Sequence, residues 1–340
     1  MLITDPTFVA GKPYSSMERW LLQWINDERD LPFLRLCAIL FFTTIPFAIY
    51  LYISQPFYWW VAALYFIYNN ALWLGPFVLM LHNTSHRALF KRKYNFLNYF
   101  IPWVLGPFFG ETPESYYAHH IGMHHPENNL KDDLSSTMAY QRDSLVDFFR
   151  YFFNFFFLGV WELSTYLRRK KRKKLLYRFW KGEFSFYIFV TLLCFVNWKA
   201  TLVVFIIPFI FTRFMMMAGN WAQHAFIDPQ SPNNCYRNSI TCINTLYNRR
   251  CFNDGYHIGH HLKPTMHWTE LPLEFQKNIK VYAQEGAIVF HTIDFFIIWL
   301  LLMLKRYDWL ARFYVNLQPS VILSKEEIIE LLKMRTARCV

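Results

Sequence analysis

The sequence of 340 residues is poor in charge, and above all in negative charge. Charged residues make up 17% of the chain, with 24 Asp and Glu against 35 Lys and Arg, whereas an average soluble domain is about 25% charged. This composition excludes disordered and coiled-coil proteins, and only 11 glycines exclude a collagen-like chain. Because the basic residues stand beside long apolar runs, we expect no nucleic-acid partner.

Paired cysteines are also lacking. The six cysteines form no C-x-x-C pair, which argues against a cysteine zinc site and against a disulfide framework. We therefore expect six reduced thiols in a cytoplasmic environment.

Apolar and aromatic side chains are what the sequence has in excess. Hydrophobic residues make up 54%, including 36 Phe, 21 Tyr and 13 Trp. One water-soluble core of this length cannot bury so many large side chains. The composition predicts a membrane protein whose net charge of +11 faces anionic membrane lipids or an acidic partner.

Two pairs of apolar segments predict two transmembrane hairpins. No Asp, Glu, Lys or Arg occurs in the 46 residues from Leu36 to Leu81, which is enough for two spans of about 20 residues each. Polar residues and a proline at 54–56 predict the turn between them. A second pair, at 184–198 and 202–221, is joined by a short connection at Lys199 and Ala200.

The distribution of Lys and Arg orients these hairpins. The two tight turns hold one basic residue between them, whereas the segment between the hairpins holds many, including the run Arg168–Lys174. By the positive-inside rule, the turns face outward and the long segments face the cytoplasm. We predict an all-α integral membrane protein with four transmembrane helices in two hairpins and a cytoplasmic helical cap, in a bacterial inner membrane or the endoplasmic reticulum.

Three regions follow from this topology. We expect a cytoplasmic N-terminal segment at 1–35, a membrane domain at 36–265, and cytoplasmic or membrane-surface helices at 266–340.

Three further features carry local expectations. A fifth span at Gly286–Leu304 would place basic C-terminal residues outside, so we expect there a helix at the membrane face or in the cap. Ser324 and Glu327 have the spacing of a capping box, which predicts a helix start. Arg213 lies within the last predicted span, and we expect it to extend toward the lipid headgroups.

Nine of the 12 histidines fall into four clusters with helical spacing. Residues three and four positions apart lie on one face of a helix, so we expect each cluster to direct its imidazoles at one place. One cluster follows the second predicted span and another follows the fourth, and all four fall on the predicted cytoplasmic side. The clusters are His82 and His86; His120, His124 and His125; His224 with Asn220; and His257, His260 and His261.

Nine neutral imidazoles exceed what one metal ion accepts, and they suit two ions. Imidazole ligands suit iron, copper or zinc, and a redox metal is favoured because a hydrolytic zinc site needs about three protein ligands. His119 lies one residue outside the spacing and is a candidate ligand or a neighbour of one. His267 and His291 have no histidine three or four positions away, so we expect them to serve packing.

The clusters resemble the three histidine boxes of the membrane-bound fatty acid desaturase family and its related hydroxylases. The boxes here are HNTSH at 82–86, HIGMHH at 120–125 and HIGHH at 257–261. NWAQH at 220–224 is similar to an additional element of stearoyl-type desaturases. The resemblance covers roughly residues 36–265.

The resemblance implies two Fe²⁺ ions, O2 as co-substrate and a double bond introduced into a fatty acyl chain. Hydroxylation, or decarboxylation to a terminal alkene, on the same diiron site stays open, and a His-lined metal transporter is the alternative from another class. No His-Pro-Gly-Gly haem element occurs in the sequence, so electrons are expected from a separate cytochrome b5- or ferredoxin-type donor with its reductase. The implied iron ligands are His82, His86, His120, His124, His125, His224, His257, His260 and His261, with Asn220 as a weak or water-mediated ligand.

Acidic and amide side chains near the boxes are candidates to orient the imidazoles. Metal-bound histidines usually donate the second ring N–H to such a group. We also expect the acyl chain to enter a long apolar tunnel, to which aromatic residues of the second and fourth spans contribute. The candidate orienting residues are Glu114, Asp132, Asp133, Asp228, Asn253 and Asp254.

Overall fold

The computed structural model describes residues 2–11, 13–318, 320–321 and 323–339, and most of them are helical. The α-helices are Ser16–Leu22, Leu31–Ile53, Trp59–Ile67, Leu74–His86, Ser115–His119, His125–Glu127, Leu145–Arg169, Lys173–Thr201, Ile207–Gln223, Cys235–Asn238, Leu246–Arg250, His257–Leu262, Leu271–Gln284, Phe295–Met303, Tyr307–Phe313 and Lys325–Arg335. Glu28–Asp30, Arg92–Tyr99 and Gly106–Phe109 are 3-10 helices, and Tyr68–Trp73, Phe100–Leu105, His120–His124 and Leu202–Ile206 are π-helical turns.

Three helical stretches within the described residues are long and apolar enough to cross a membrane: Glu28–Ile53, Trp59–His86 and Lys173–Gln223. The first ends and the second begins around the turn predicted at 54–56, which the structure confirms.

The third stretch has 51 residues, more than twice the length that one span requires. It is broken at Asn197, where φ is −158° and ψ is 94°. The break therefore precedes the connection predicted at Lys199 and Ala200. The Asn197 side chain accepts from the backbone N–H of Ala200 at 3.1 Å, which stabilises the break. Division of this stretch into two spans, and with it the four-span topology, stays a prediction.

The chain divides into two compact units. The first unit comprises Phe8–Gly122 and Leu167–Arg213, and the second comprises Met1–Thr7, Met123–Tyr166 and Phe214–Val340.

In the first unit, the helices Leu31–Ile53 and Trp59–Ile67 pack against residues 200–205. Ala48, Leu51 and Tyr65 share a buried apolar cluster with Val204 and Phe205. This packing brings apolar surface from segments distant in the sequence out of contact with water, which is the main favourable term in folding.

The helix Lys173–Thr201 approaches the segment before the second histidine box very closely. A Cβ atom at Gly182 would lie 1.6 Å from the carbonyl oxygen of Pro113, so only glycine fits. One residue on, Glu183 accepts a hydrogen bond from the Thr112 hydroxyl at 2.6 Å. The close contact and the buried hydrogen bond together fix the start of the segment that leads to His120.

The second unit also contains a small two-stranded sheet within the otherwise helical fold. Strands Ile240–Ile243 and Ile288–His291 are parallel, with Ile240 opposite Ile288. The crossover between parallel strands must be long, and here it carries the third histidine box. Trp221, Phe148 and Ile298 pack in the same buried core.

The apolar run Gly286–Leu304 is divided between this sheet and a short helix, so the single helix predicted there is wrong. Ile288–His291 pairs in the sheet, and only Phe295–Met303 is helical. Ile and Val favour extended backbone, and pairing with the earlier strand prevails over the apolar pattern. A nine-residue helix is about 14 Å long, less than half the hydrocarbon thickness of a membrane.

Other local expectations have mixed outcomes. The capping box is confirmed, because Ser324 accepts from the N–H of Glu327 and the Glu327 side chain accepts from the N–H of Ser324. All six cysteines are free.

Arg213 stays within the protein instead of extending toward headgroups. It donates to the carbonyls of Gly110 at 2.8 Å and Phe209 at 3.2 Å, which satisfy its guanidinium.

Candidate metal centre

Four buried histidines lie together in the second unit. They are His124, His224, His257 and His261, and one ring nitrogen of each lies within 4.8 Å of the others. Nε2 of His257 is 3.2 Å from Nε2 of His224 and 3.0 Å from Nε2 of His261. Two nitrogens bound at right angles to one ion, each about 2.1 Å away, are about 3.0 Å apart. The spacing therefore fits a single metal ion.

Hydrogen bonds to the outer ring nitrogens set the tautomers of two of these histidines. Nδ1 of His124 is 2.7 Å from Oδ2 of Asp133, and Nδ1 of His224 is 2.8 Å from the carbonyl oxygen of Asn238. An ionised carboxylate and a carbonyl only accept, so each Nδ1 carries the proton and each Nε2 presents a lone pair. A buried cluster of inward lone pairs suits a cation, and imidazole nitrogen suits iron, copper or zinc.

Burial also keeps two of the four rings neutral, those of His224 and His261. Burial, assisted by the neighbouring His124, lowers the pKa of His224 to about 4. Burial and four neighbouring histidines lower the pKa of His261 well below its usual 6.5. Neutral imidazole is the form that binds a metal, so near neutral pH few protons compete for these nitrogens.

The loop before the third box leaves no room for a side chain at Gly255. A Cβ there would lie 2.3 Å from Oδ1 of Asn248 and 2.5 Å from the carbonyl oxygen of Cys242. This close approach sets where the helix His257–Leu262 begins.

The N-terminal residues hold the same loop. Oδ2 of Asp5 accepts from the Tyr256 hydroxyl at 2.7 Å and from the Asn248 amide at 3.0 Å. The Asn253 amide donates to the carbonyl of Pro6 at 2.7 Å. Sequence reasoning missed this contact, because about 240 residues separate the two segments.

The third box does not direct all its imidazoles at one place, contrary to prediction. His257 and His261 join the four-histidine cluster, whereas Nε2 of His260 lies 2.9 Å from Nε2 of His125. Each helical residue advances about 100° around the axis. Around the helix axis, His260 therefore lies about 60° from His257 and about 100° from His261. It is on the side of His257 that faces away from His261.

In the first unit, His82, His86 and His120 lie close together. Nε2 of His86 is 3.0 Å from Nε2 of His120, and the ring centroids of His82 and His120 are 4.6 Å apart. The second box is thus also divided, since His120 and His124 belong to different clusters. Residues His120–His124 form a π-helical turn, in which the α-helical spacing behind the prediction does not apply.

Asn220 and His267 both contact polar groups of the protein. The Asn220 amide donates to the carbonyl of Ser135 at 2.9 Å and to the Tyr151 hydroxyl at 2.7 Å, and its role as a ligand stays a prediction. Nδ1 of His267 lies 2.8 Å from the Thr269 hydroxyl.

Among the proposed orienting residues, Asp133 makes the predicted kind of contact, with Nδ1 of His124. Glu114 instead accepts from Arg178 at 3.0 Å and from Trp103 at 2.9 Å, and Asp254 accepts from Tyr247 at 2.7 Å. The sequence carries no signal for the Asn238 carbonyl, because every residue has one.

Comparison with known proteins returns one match. A family model with the description Fatty acid desaturase matches residues 58–293, which is 236 of the 340 residues and includes every histidine cluster. No curated protein and no solved structure matches the chain.

Proposed function

The chain belongs to the fatty acid desaturase family, and from this premise we propose that it is an O2-dependent diiron enzyme that introduces a double bond into a fatty acyl chain. The observation that supports a metal enzyme most directly is the four-histidine cluster. The Nε2 spacing, the neutral rings of His224 and His261, and the Nδ1 contacts of His124 and His224 suit a redox metal.

The four histidines of the second unit, His124, His224, His257 and His261, would hold one iron ion. The family resemblance implies two iron ions on the box histidines as a whole. Iron supplies the O2 chemistry that breaks an unactivated C–H bond, a reaction beyond any side chain. Asp133 and the Asn238 carbonyl hold the Nδ1 protons and so aim two imidazoles inward. Burial of the four rings excludes water, which strengthens every electrostatic interaction around them.

Hydroxylation and terminal-alkene formation are the alternatives on the same site. All three reactions begin at a C–H or carboxyl group of a bound chain and differ in where that chain lies. The products distinguish them: a desaturase forms an internal double bond, a hydroxylase forms a hydroxy acid, and a decarboxylase forms a volatile alkene.

A metal transporter is the alternative from another class, and the position of the cluster argues against it. Transporters bind their cargo near the membrane midplane. All four clustered histidines lie outside the three candidate spans, and His224 follows the last residue of one of them, Gln223.

Electron supply is part of the proposal. We expect a separate, acidic donor of the cytochrome b5 or ferredoxin type on the cytoplasmic side. The run Arg168–Lys174 is largely exposed, so it could attract such a donor or anionic lipid.

The test combines iron analysis with product analysis. The protein is expressed in cells supplied with iron and purified in detergent, and fatty acids, hydroxy acids and alkenes of the cells are profiled by mass spectrometry. His257→Ala is compared with His291→Ala, which removes a histidine outside the clusters. We expect new internal double bonds and about two irons per chain in the wild type and in His291→Ala. His257→Ala should form no new double bonds and should bind less iron. Active protein without iron would refute the proposal.

A further inference from the structure

The first unit contains a cavity of about 330 Å³ beside the first histidine box and the residues that precede the second box. Leu81, Thr84 and Ser85, from the helix that carries His82 and His86, form part of its wall. Tyr116 and Tyr117, which precede His120, form another part, and the Tyr116 ring stacks on His120 with centroids 5.2 Å apart. A molecule in this cavity therefore contacts Thr84 and Ser85 of the first box, and Tyr116, whose ring stacks on His120 of the second.

The wall combines polar and apolar side chains. The polar residues that line the cavity are Tyr99, Tyr116, Tyr117, Asn95, Asn98 and Glu111, and Glu111 is 5% exposed. Burying such groups against methylene without a hydrogen-bonding partner costs about 1–3 kcal/mol each. An occupant that bears hydrogen-bonding groups avoids this cost.

The charges around the cavity leave no surplus positive charge. Arg178 is the one cation in the described wall, and its Nε already donates to Glu114 at 3.0 Å. Glu111 adds a carboxyl that is neutral or negative. Behind it, Arg213 and Glu183 act on its charge in opposite directions. A ligand carboxylate or phosphate would thus meet a neutral or negative wall.

We propose that this cavity binds the headgroup of an acyl substrate, and that the headgroup is uncharged and bears hydroxyl or amide groups, as in a glycerol ester. The inference rests on the proposed function, because an acyl substrate is assumed. It goes further in excluding the free acid and phosphate-bearing thioesters from this cavity. Glu111 accepts from, or when protonated donates to, the polar groups of the head, and the tyrosine and asparagine side chains complete its contacts.

The experiment measures binding instead of turnover. Iron-loaded protein is kept free of O2 at pH 8, and a fluorescent acyl probe is displaced by three ligands with the same 16-carbon chain: a monoacylglycerol, the free acid and the primary amine. Glu111→Gln removes the charge and keeps the shape. Glu28→Gln is the matched control, since Glu28 is exposed in the same unit.

We expect the monoacylglycerol to displace the probe at a concentration about tenfold lower than the acid does, a difference of about 1.4 kcal/mol. Glu111→Gln should bring the acid within about threefold of the ester, and Glu28→Gln should leave the ratio unchanged. Preference of the wild type for the acid or the amine, or displacement by none of the three, would overturn the inference. The comparison of ligands in the wild type decides this even if Glu111→Gln does not fold. The product profile tests the proposed function separately.

Discussion

Oδ2 of Asp133 lies 2.7 Å from Nδ1 of His124, and both side chains are buried. The carboxylate is itself held by three donors: the N–H of Asn129 at 2.8 Å, and the N–H and hydroxyl of Ser135 at 2.8 and 2.7 Å. Since Asp133 cannot turn without losing these bonds, it determines the orientation of the His124 ring.

Removing this carboxylate should weaken metal binding. Asp133→Ala should lower iron affinity by about 10- to 100-fold, the usual effect of losing a partner behind a metal-bound histidine. Iron retained after dialysis against a graded chelator measures the effect. Asp308→Ala, which removes an exposed carboxylate paired with Arg306, is the control. Equal iron retention in the two variants would contradict the role of Asp133.

The N-terminal contact should stabilise the third histidine box. Asp5→Ala removes the acceptor for the Asn244 N–H, the Asn248 amide and the Tyr256 hydroxyl, and each donor left unpaired costs about 1–3 kcal/mol. We expect a lower thermal midpoint and faster loss of iron. Asp5→Asn keeps one acceptor oxygen and should lie between Asp5→Ala and the wild type. An unchanged midpoint for Asp5→Ala would show that the contact contributes nothing.

Substitution by alanine should have opposite effects on stability at Gly182 and at Gly219, which both lie in helices. At Gly182 a Cβ would meet the Pro113 carbonyl, a backbone atom that cannot move away cheaply, whereas at Gly219 nothing lies within 4 Å. Gly182→Ala should destabilise the protein strongly. Gly219→Ala should be neutral or stabilising by up to about 1 kcal/mol, from helix propensity alone. Thermal denaturation in detergent compares them, and similar midpoints would argue against the close packing at Pro113.

Stability should depend on pH through Glu111. Burial raises the pKa of Glu111 from 4.5 to about 7. A raised folded-state pKa means that its contribution to stability is complete below about pH 4.5 and is lost as the pH rises through about 7. Glu111→Gln stays neutral, so at pH 8 it should be more stable than the wild type by about 1–3 kcal/mol. At pH 4.5 the two should be nearly equal. Thermal midpoints measured across this range test it, and a constant difference would contradict the assignment.

Much of the architecture is readable from local patterns. The uncharged run from Leu36 to Leu81 predicts the first hairpin, and its turn is confirmed between Ile53 and Trp59. The capping box at Ser324 is likewise a contact between residues three positions apart. Such features depend on neighbours in the sequence, so composition and periodicity suffice to find them.

The histidine spacing by itself identified the family. A metal site built on helices requires histidines at fixed intervals, and these intervals are visible in the sequence. Only the tertiary structure decided how the boxes are divided. His260 leaves the pair formed by His257 and His261, and a π-helical turn separates His120 from His124.

The partners of those histidines are also a matter of tertiary structure. The Asn238 carbonyl behind His224, the strand Ile288–His291 beside Ile240–Ile243, and Asp5 against Tyr256 all join segments by packing. No residue type indicates which backbone carbonyl accepts a hydrogen bond, or which residues some 240 positions apart are in contact. Both depend on the tertiary packing of the chain. The sequence therefore determined which histidines are available as ligands, and the fold decided the direction of each ring nitrogen.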